Sequence, residues 1–150
     1  LMPVVRLDKD TRGLLLMTTD GPLAHFLLSP KRRVDKTYLA RVDGPLTPAD
    51  AAAFASGLPL GDFTALPAEL EILSSDAAES LARVTLQEGK FHQVKRMFLH
   101  RGRRVTDLQR VRLGSLALDP KLPEGQFREL TPQEVAALWR DVGKEAPGHG

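Results

Sequence analysis

The sequence predicts an α+β fold, a largely antiparallel mixed sheet flanked by helices, and three observations predict it. Short runs alternate apolar and polar residues, as residues 36–42 do, which is the pattern of a half-buried strand. Between these runs stand helix-like segments opened by Thr-Pro, at Thr47-Pro48 and Thr131-Pro132. The order lacks the regular βαβ alternation that a doubly wound parallel sheet needs. A chain of 150 residues, 42% hydrophobic and 27% charged, suffices for one domain with its own core and falls short of two.

Residues 1–5 lead into the first polar loop with no element before it. Residues 13–18, rich in Leu, read as a buried strand. Asp20 then caps a helix that starts at Gly21-Pro22, carries Leu23, Phe26 and Leu27 on one face, and ends at Ser29-Pro30. After the strand at 36–42, Thr47-Pro48 opens an alanine-rich helix that stops at Gly57. Residues 68–73, with Leu70 and Ile72 on one face, and residues 81–86 are strands separated by a polar turn at 74–79. Glu88-Gly89 precedes a helix whose apolar face is Val94, Met97 and Phe98, at i, i+3 and i+4, with Gly102 as its stop. Residues 105–113 and 115–118 are strands broken at Gly114. Thr131-Pro132-Gln133-Glu134 is a capped start to a last helix ending near Trp139. The domain therefore runs over 1–142, and the tail at 143–150 is expected to be disordered. No repeat or low-complexity linker interrupts it.

Composition excludes several classes. With no cysteine there is no disulfide framework and no thiolate metal site, and His25, His92, His100 and His149 lack metal-ligand spacing. The expectation is no metal and no cofactor. No run of about 18 apolar residues and no signal-like start occurs, so a soluble, cytoplasmic protein without a membrane partner is expected. The net charge of +2 is unevenly spread. Asp43, Asp50, Asp62, Glu69, Glu71, Asp76, Glu79 and Glu88 face only Arg83 within their stretch. Lys90, Lys95, Arg96, Arg101, Arg103, Arg104, Arg110 and Arg112 then face only Asp107. With Lys31, Arg32 and Arg33 this asymmetry suits a polyanion partner, since such side chains release counterions at phosphates; a solvated charged face fits it equally.

Three segments carry candidate chemistry. The first, from Arg6 to Gly21, sets Asp8 in a polar loop just before a buried strand, where a carboxylate can be held on a rigid element. Taken alone, Asp8 and Asp10 read as turn residues, and a calcium loop lacks its further oxygen ligands. The second segment is Lys36-Thr37-Tyr38-Leu39. The third is Glu88-Gly89-Lys90-Phe91-His92-Gln93-Val94-Lys95-Arg96-Met97-Phe98.

Together these segments resemble the RsuA-type RNA pseudouridine synthases, whose pattern runs Gly-Arg-Leu-Asp-x-x-Thr-x-Gly-Leu-Leu, then Lys-x-Tyr, then Glu-Gly-x-x-x-Gln-Val-x-Arg-Met. The resemblance extends to about Leu138, through Leu108-x-Arg110-x-x-x-Gly114 and the stretch from Pro123 to Thr131. It implies that Asp8 is the catalytic aspartate, acting with no cofactor and no metal. It implies further that Tyr38 stacks on the flipped base and takes a proton, that Lys95 pairs with the aspartate, and that Leu113 lines the uracil pocket. Arg96, beside Lys95 on the same helix, is the other candidate for the ion pair. Arg6, Leu7, Thr11, Gly13, His92, Gln93, Arg96 and Leu113 are expected at the substrate. Lys31, Arg32, Arg33, Lys90, Arg101, Arg103 and Arg104 are expected at RNA phosphates, where contacts position without specifying sequence.

The implied reaction breaks the bond from C1′ to N1 of uridine, rotates the uracil and rejoins it through C5. A carboxylate near C1′ can act as nucleophile or base, and a neighbouring cation keeps it ionised. Attack at C1′, attack at C6 and a glycal route all remain open. A stacked uridine must be extruded for any of them, and Tyr38 offers it an aromatic face. The form from His92 to Met97 looks closer to members acting on small-subunit 16S rRNA than to 23S relatives. The expected partner is therefore 16S rRNA or a small-subunit assembly intermediate, met by a monomer. Two departures stand beside this: Val5 replaces a Gly, and neither the family's proline-bearing strand nor its S4 RNA-binding domain precedes the motif. Two rival readings are a non-catalytic RNA-binding module of the same fold, and a hydrolase pairing Asp8 with His92.

Overall fold

A computed structural model describes residues 2–3, 12–13, 17–18, 34–88, 92–117 and 131–143, with the first three pairs described as backbone only. The strands are β1 (Met2–Pro3), β2 (Arg12–Gly13), β3 (Met17–Thr18), β4 (Lys36–Val42), β5 (Glu69–Ser75), β6 (Ser80–Leu86), β7 (Val105–Leu113) and β8 (Leu116–Ala117). The helices are α1 (Pro48–Ser56), α2 (Gln93–His100) and α3 (Pro132–Asp141). The main sheet runs β2-β7-β4-β6-β5, with β8 also on β7. Among the described residues only β2 pairs in parallel; the other ladders are antiparallel, the mixed, largely antiparallel sheet the sequence predicts.

Two differences concern the N-terminal strands. A two-residue strand bearing Pro3 stands before the first motif, where the sequence reading placed no element, and pairs with β3. The strand expected over 13–18 is described as two pieces in different sheets, β2 on β7 and β3 on β1. The expected helix at 20–30 and the tail from residue 144 lie outside the described residues.

Local chemistry explains the helix ends. The Asp50 carboxylate accepts the Thr47 N–H at 2.9 Å, and Pro48 supplies a preset first turn. Gly57 ends α1 at φ +88°, where a Cβ would lie 2.7 Å from the Ala65 carbonyl oxygen, so only glycine fits. At α3 the predicted reciprocal cap forms: Thr131 Oγ1 accepts the Glu134 N–H at 3.1 Å and Glu134 Oε1 accepts the Thr131 N–H at 2.9 Å. Helices of this length are marginal alone, so packing holds them. Phe54 of α1 meets Phe98 of α2 with ring centroids 5.0 Å apart. Met97, Ala40, Val42, Ala82 and Val84, all fully buried, complete this centre. Each large apolar side chain buried there contributes about 1.5–3 kcal/mol.

Strand β4 is central, paired to β6 and β7, and so more buried than a half-buried edge. Lys36, Thr37, Tyr38, Ala40 and Val42 are all buried, and Thr37 Oγ1 lies 3.1 Å from Thr85 Oγ1 across the ladder. No helix among the described residues is long and apolar enough to cross a membrane.

Candidate active site

The sheet register brings candidate residues into one row. Gly13 of β2 is the ladder partner of Arg110, Arg110 is the partner of Tyr38, and Tyr38 is the partner of Val84. Alternation then puts Lys36, Tyr38 and Ala40 on one face of β4, the face that buries the core. Lys36 in turn pairs with Leu86 on one side and Leu113 on the other. One buried face thus carries a phenol, two cations and apolar walls.

Tyr38 is 9% exposed, and its hydroxyl lies 3.5 Å from Nη1 of Arg110, which is fully buried. The Lys36 ammonium donates to the Val34 carbonyl at 3.3 Å. Burial first, and then repulsion from Arg110, push the Lys36 amine below its ordinary range, against the pull of Asp35 and Glu88. Leu113 is fully buried beside them.

A second group sits where β6 hands over to α2. Glu88 Oε1 accepts the Leu66 N–H at 2.6 Å and the side-chain N–H of Gln93 at 2.7 Å. Gln93 is buried at the helix start, its amide also 3.8 Å from Met97 Sδ. His92 precedes it in the left-handed region, φ +51° and ψ +30°, a conformation uncommon outside glycine. Half-buried Lys95 follows two residues into α2.

Arg96 turns elsewhere. Its guanidinium binds the Asp62 carboxylate and the Leu60 carbonyl, the latter at 3.0 Å, and lies 5.4 Å from the Phe63 ring centroid. The Arg96 hydrogen bond holds the Asp62 carboxyl below its ordinary range. Of the basic residues expected at phosphates, Arg101 Nε donates to Asp50 Oδ1 at 2.7 Å and Arg103 Nε to the Pro45 carbonyl at 2.6 Å. Both therefore also hold local structure. Arg104 is exposed, with its backbone N–H on Asp43 Oδ1 at 2.7 Å. Arg6, Leu7, Asp8, Thr11, Lys31, Arg32, Arg33 and Lys90 lie outside the described residues, and of Gly13 only the backbone is described.

Tyr38, Gln93, Lys95 and Leu113 are among the residues expected at the site, whereas Lys36, Glu88 and Arg110 stand in the quoted motifs without an expected role. A signal existed for two of these. Lys36 shares the inward phase of Tyr38, Ala40 and Val42, and Arg110 shares that of Leu108, and a charge in the buried phase of a strand is costly unless paired.

Comparison with known proteins agrees with this geometry. The profile of the family described as RNA pseudouridylate synthase matches residues 1–100. The chain is similar to YtzG of Bacillus subtilis, named an uncharacterized RNA pseudouridine synthase, at 42% identity over 91% of this chain and 57% of that protein. It is 42% identical to ribosomal small subunit pseudouridine synthase A of Escherichia coli, over 89% of this chain and 57% of the relative. A crystal structure of a pseudouridylate synthase superposes with a TM-score of 0.86 at 40% identity, over 91% of this chain and 58% of the other. An archaeal box H/ACA Nop10-Cbf5 complex shares the fold alone, with a TM-score of 0.54 at 22% identity. The chain spans little more than half the length of the relatives it matches.

Proposed function

The chain belongs to the RNA pseudouridylate synthase family, and on that premise we propose that it isomerises a specific uridine of ribosomal RNA, in the 16S molecule, to pseudouridine without a cofactor. The observation that carries the reading is the row Gly13–Arg110–Tyr38. Gly13, five positions after Asp8 in the sequence, pairs with a strand bearing a buried arginine, and that strand pairs with the one bearing the tyrosine, which supports the reading.

In this reading Asp8 opens the reaction at the extruded nucleotide, and attack at C1′, attack at C6 and the glycal route are all compatible with a carboxylate there. Lys95 keeps the carboxylate ionised. The engagement of Arg96 with Asp62 favours Lys95 over Arg96 for that part. Tyr38 receives the base, its side chain held in place by the packing that leaves the residue 9% exposed. Leu113 supplies an apolar wall. Lys31, Arg32, Arg33, Lys90, Arg101, Arg103 and Arg104 hold phosphates, the work being done in the cytoplasm by a monomer. The small-subunit name of the Escherichia coli relative supports 16S over 23S.

The test is to incubate the full-length protein and its Asp8→Asn variant with 16S and 23S transcripts and with a partly assembled small subunit. Pseudouridine is then mapped by carbodiimide-blocked primer extension. One new stop on 16S, absent with the variant, is the expected result. RNA binding without product would replace the enzyme with a non-catalytic RNA-binding module.

A further inference from the structure

We infer that Arg110 is a positioning residue that acts through the Tyr38 hydroxyl, taking up its oxygen so that its proton points toward the bound nucleotide. The inference rests on the reading of Tyr38 as a uridine contact and goes beyond it by assigning what sets that phenol.

Among the described residues Arg110 is the largest fully buried side chain, and its neighbours on the inward face of β7 are Leu108 and Leu113. A guanidinium taken out of water carries a desolvation penalty that apolar residues of similar volume avoid. A strand that needed only to fill this space would do so better with leucine.

Thr37 pairs with Arg112, yet Tyr38 pairs with Arg110, so the ladder slips by one residue at Val111. In an unbroken antiparallel ladder Val111 would stand opposite Tyr38 and Arg110 would be displaced from it. Bulges re-aim side chains, and this one aims the arginine at the phenol.

A guanidinium has five N–H donors and no acceptor, so at 3.5 Å the Tyr38 oxygen accepts and Arg110 Nη1 donates. The hydroxyl proton is then committed to some other direction. The charge is also felt nearby, since Arg110 helps push the Lys36 amine below its ordinary range. Lysine would not replace this arginine, because a single ammonium lacks the planar fork that fixes direction.

Tyr38 is the only tyrosine in the chain, which makes the contact readable without interference. Ultraviolet resonance Raman of the tyrosine Fermi doublet distinguishes a phenol oxygen that accepts from one that only donates. The wild-type protein should show the accepting form and Arg110→Gln should lose it. In single-turnover pseudouridine formation Arg110→Gln should be slower by about 10- to 100-fold, the scale of one hydrogen bond to a charged group, with RNA affinity little changed. In a Tyr38→Phe background the same substitution should cost almost nothing more. Should Arg110→Gln fail to fold, Arg110→Lys carries the same two readouts, with a weakened accepting signal and a slower step expected. An unchanged doublet, or effects of the two substitutions that multiply, overturns the inference while leaving the enzyme reading intact. A wild-type protein that makes no pseudouridine defeats the enzyme reading and any catalytic use of the pair with it.

Discussion

Replacing Glu88 with alanine tests whether the hand-over from β6 to α2 is held by one carboxylate oxygen. Glu88 Oε1 serves two donors, the Leu66 N–H at 2.6 Å and the Gln93 side chain at 2.7 Å. Alanine removes this shared acceptor from both. A buried donor left unsatisfied costs about 1–3 kcal/mol. Gln93 is 3% exposed and should pay most of this, whereas the Leu66 amide is only part-buried and water can reach it more readily. The expected total is about 2–4 kcal/mol. Urea denaturation followed by far-ultraviolet circular dichroism should show a lower midpoint with an unchanged slope. Because joint removal of both polar partners is far cheaper than removal of one, Gln93→Leu in the Glu88→Ala background should recover part of the loss. A loss under about 0.5 kcal/mol, or a double variant as costly as the two single variants added, would refute this account.

Three further outcomes follow from the same geometry. The Lys36 amine is depressed in the folded state, so between that value and 10.5 the unfolded chain binds more protons and stability rises with pH. Urea midpoints measured upward from pH 7 should climb in wild type relative to Lys36→Met, and a constant difference would contradict the burial of a strained cation. Asp50 is pushed up by burial, but the Thr47 N–H and Arg101 outweigh this and hold its carboxyl below 3.8. Its contribution is complete above 3.8 and lost as pH falls through the folded value, so Asp50→Asn, costing about 1–3 kcal/mol at pH 7, should flatten the acid limb of the stability curve. Gly114 has φ +56° and a Cβ there would lie 2.3 Å from Asp141 Oδ2, the carboxylate that holds Ser115. Gly114→Ala should therefore cost at least about 1–3 kcal/mol in thermal or urea unfolding.

Much of the fold was legible because its signals are local. The alternation of residues 36–42 and the i, i+3, i+4 face of Val94, Met97 and Phe98 each sit within one element and each formed. Thr47, Gly57 and Thr131 marked helix ends by chemistry that spans four residues or fewer. What escaped was non-local. The slip at Val111, which decides that Arg110 faces Tyr38, depends on how β4 and β7 meet across 72 residues. Lys95 and Arg96 are adjacent, and what tells them apart is distant in sequence: Asp62 and the Leu60 carbonyl, 34 and 36 residues upstream, both engage Arg96. Arg110 stands in the sequence as one of the basic run from Lys90 to Arg112, and Lys36 as part of the second motif with no role of its own, because charges usually are exposed. The parallel pairing of β2 with β7, which sets Gly13 beside Arg110, has no signature in either strand alone.

The most direct measurement follows the hydrogen at C5. Forming a bond from C5 to C1′ releases it to solvent, whatever the route by which the glycosidic bond breaks. Full-length protein and its Asp8→Asn variant are mixed with 16S rRNA labelled with tritium at C5 of uridine, and tritiated water is counted over time. The account predicts release approaching one equivalent per RNA with wild type and none above background with Asp8→Asn. No release from wild type on RNA that it binds, or equal release from both proteins, would contradict it.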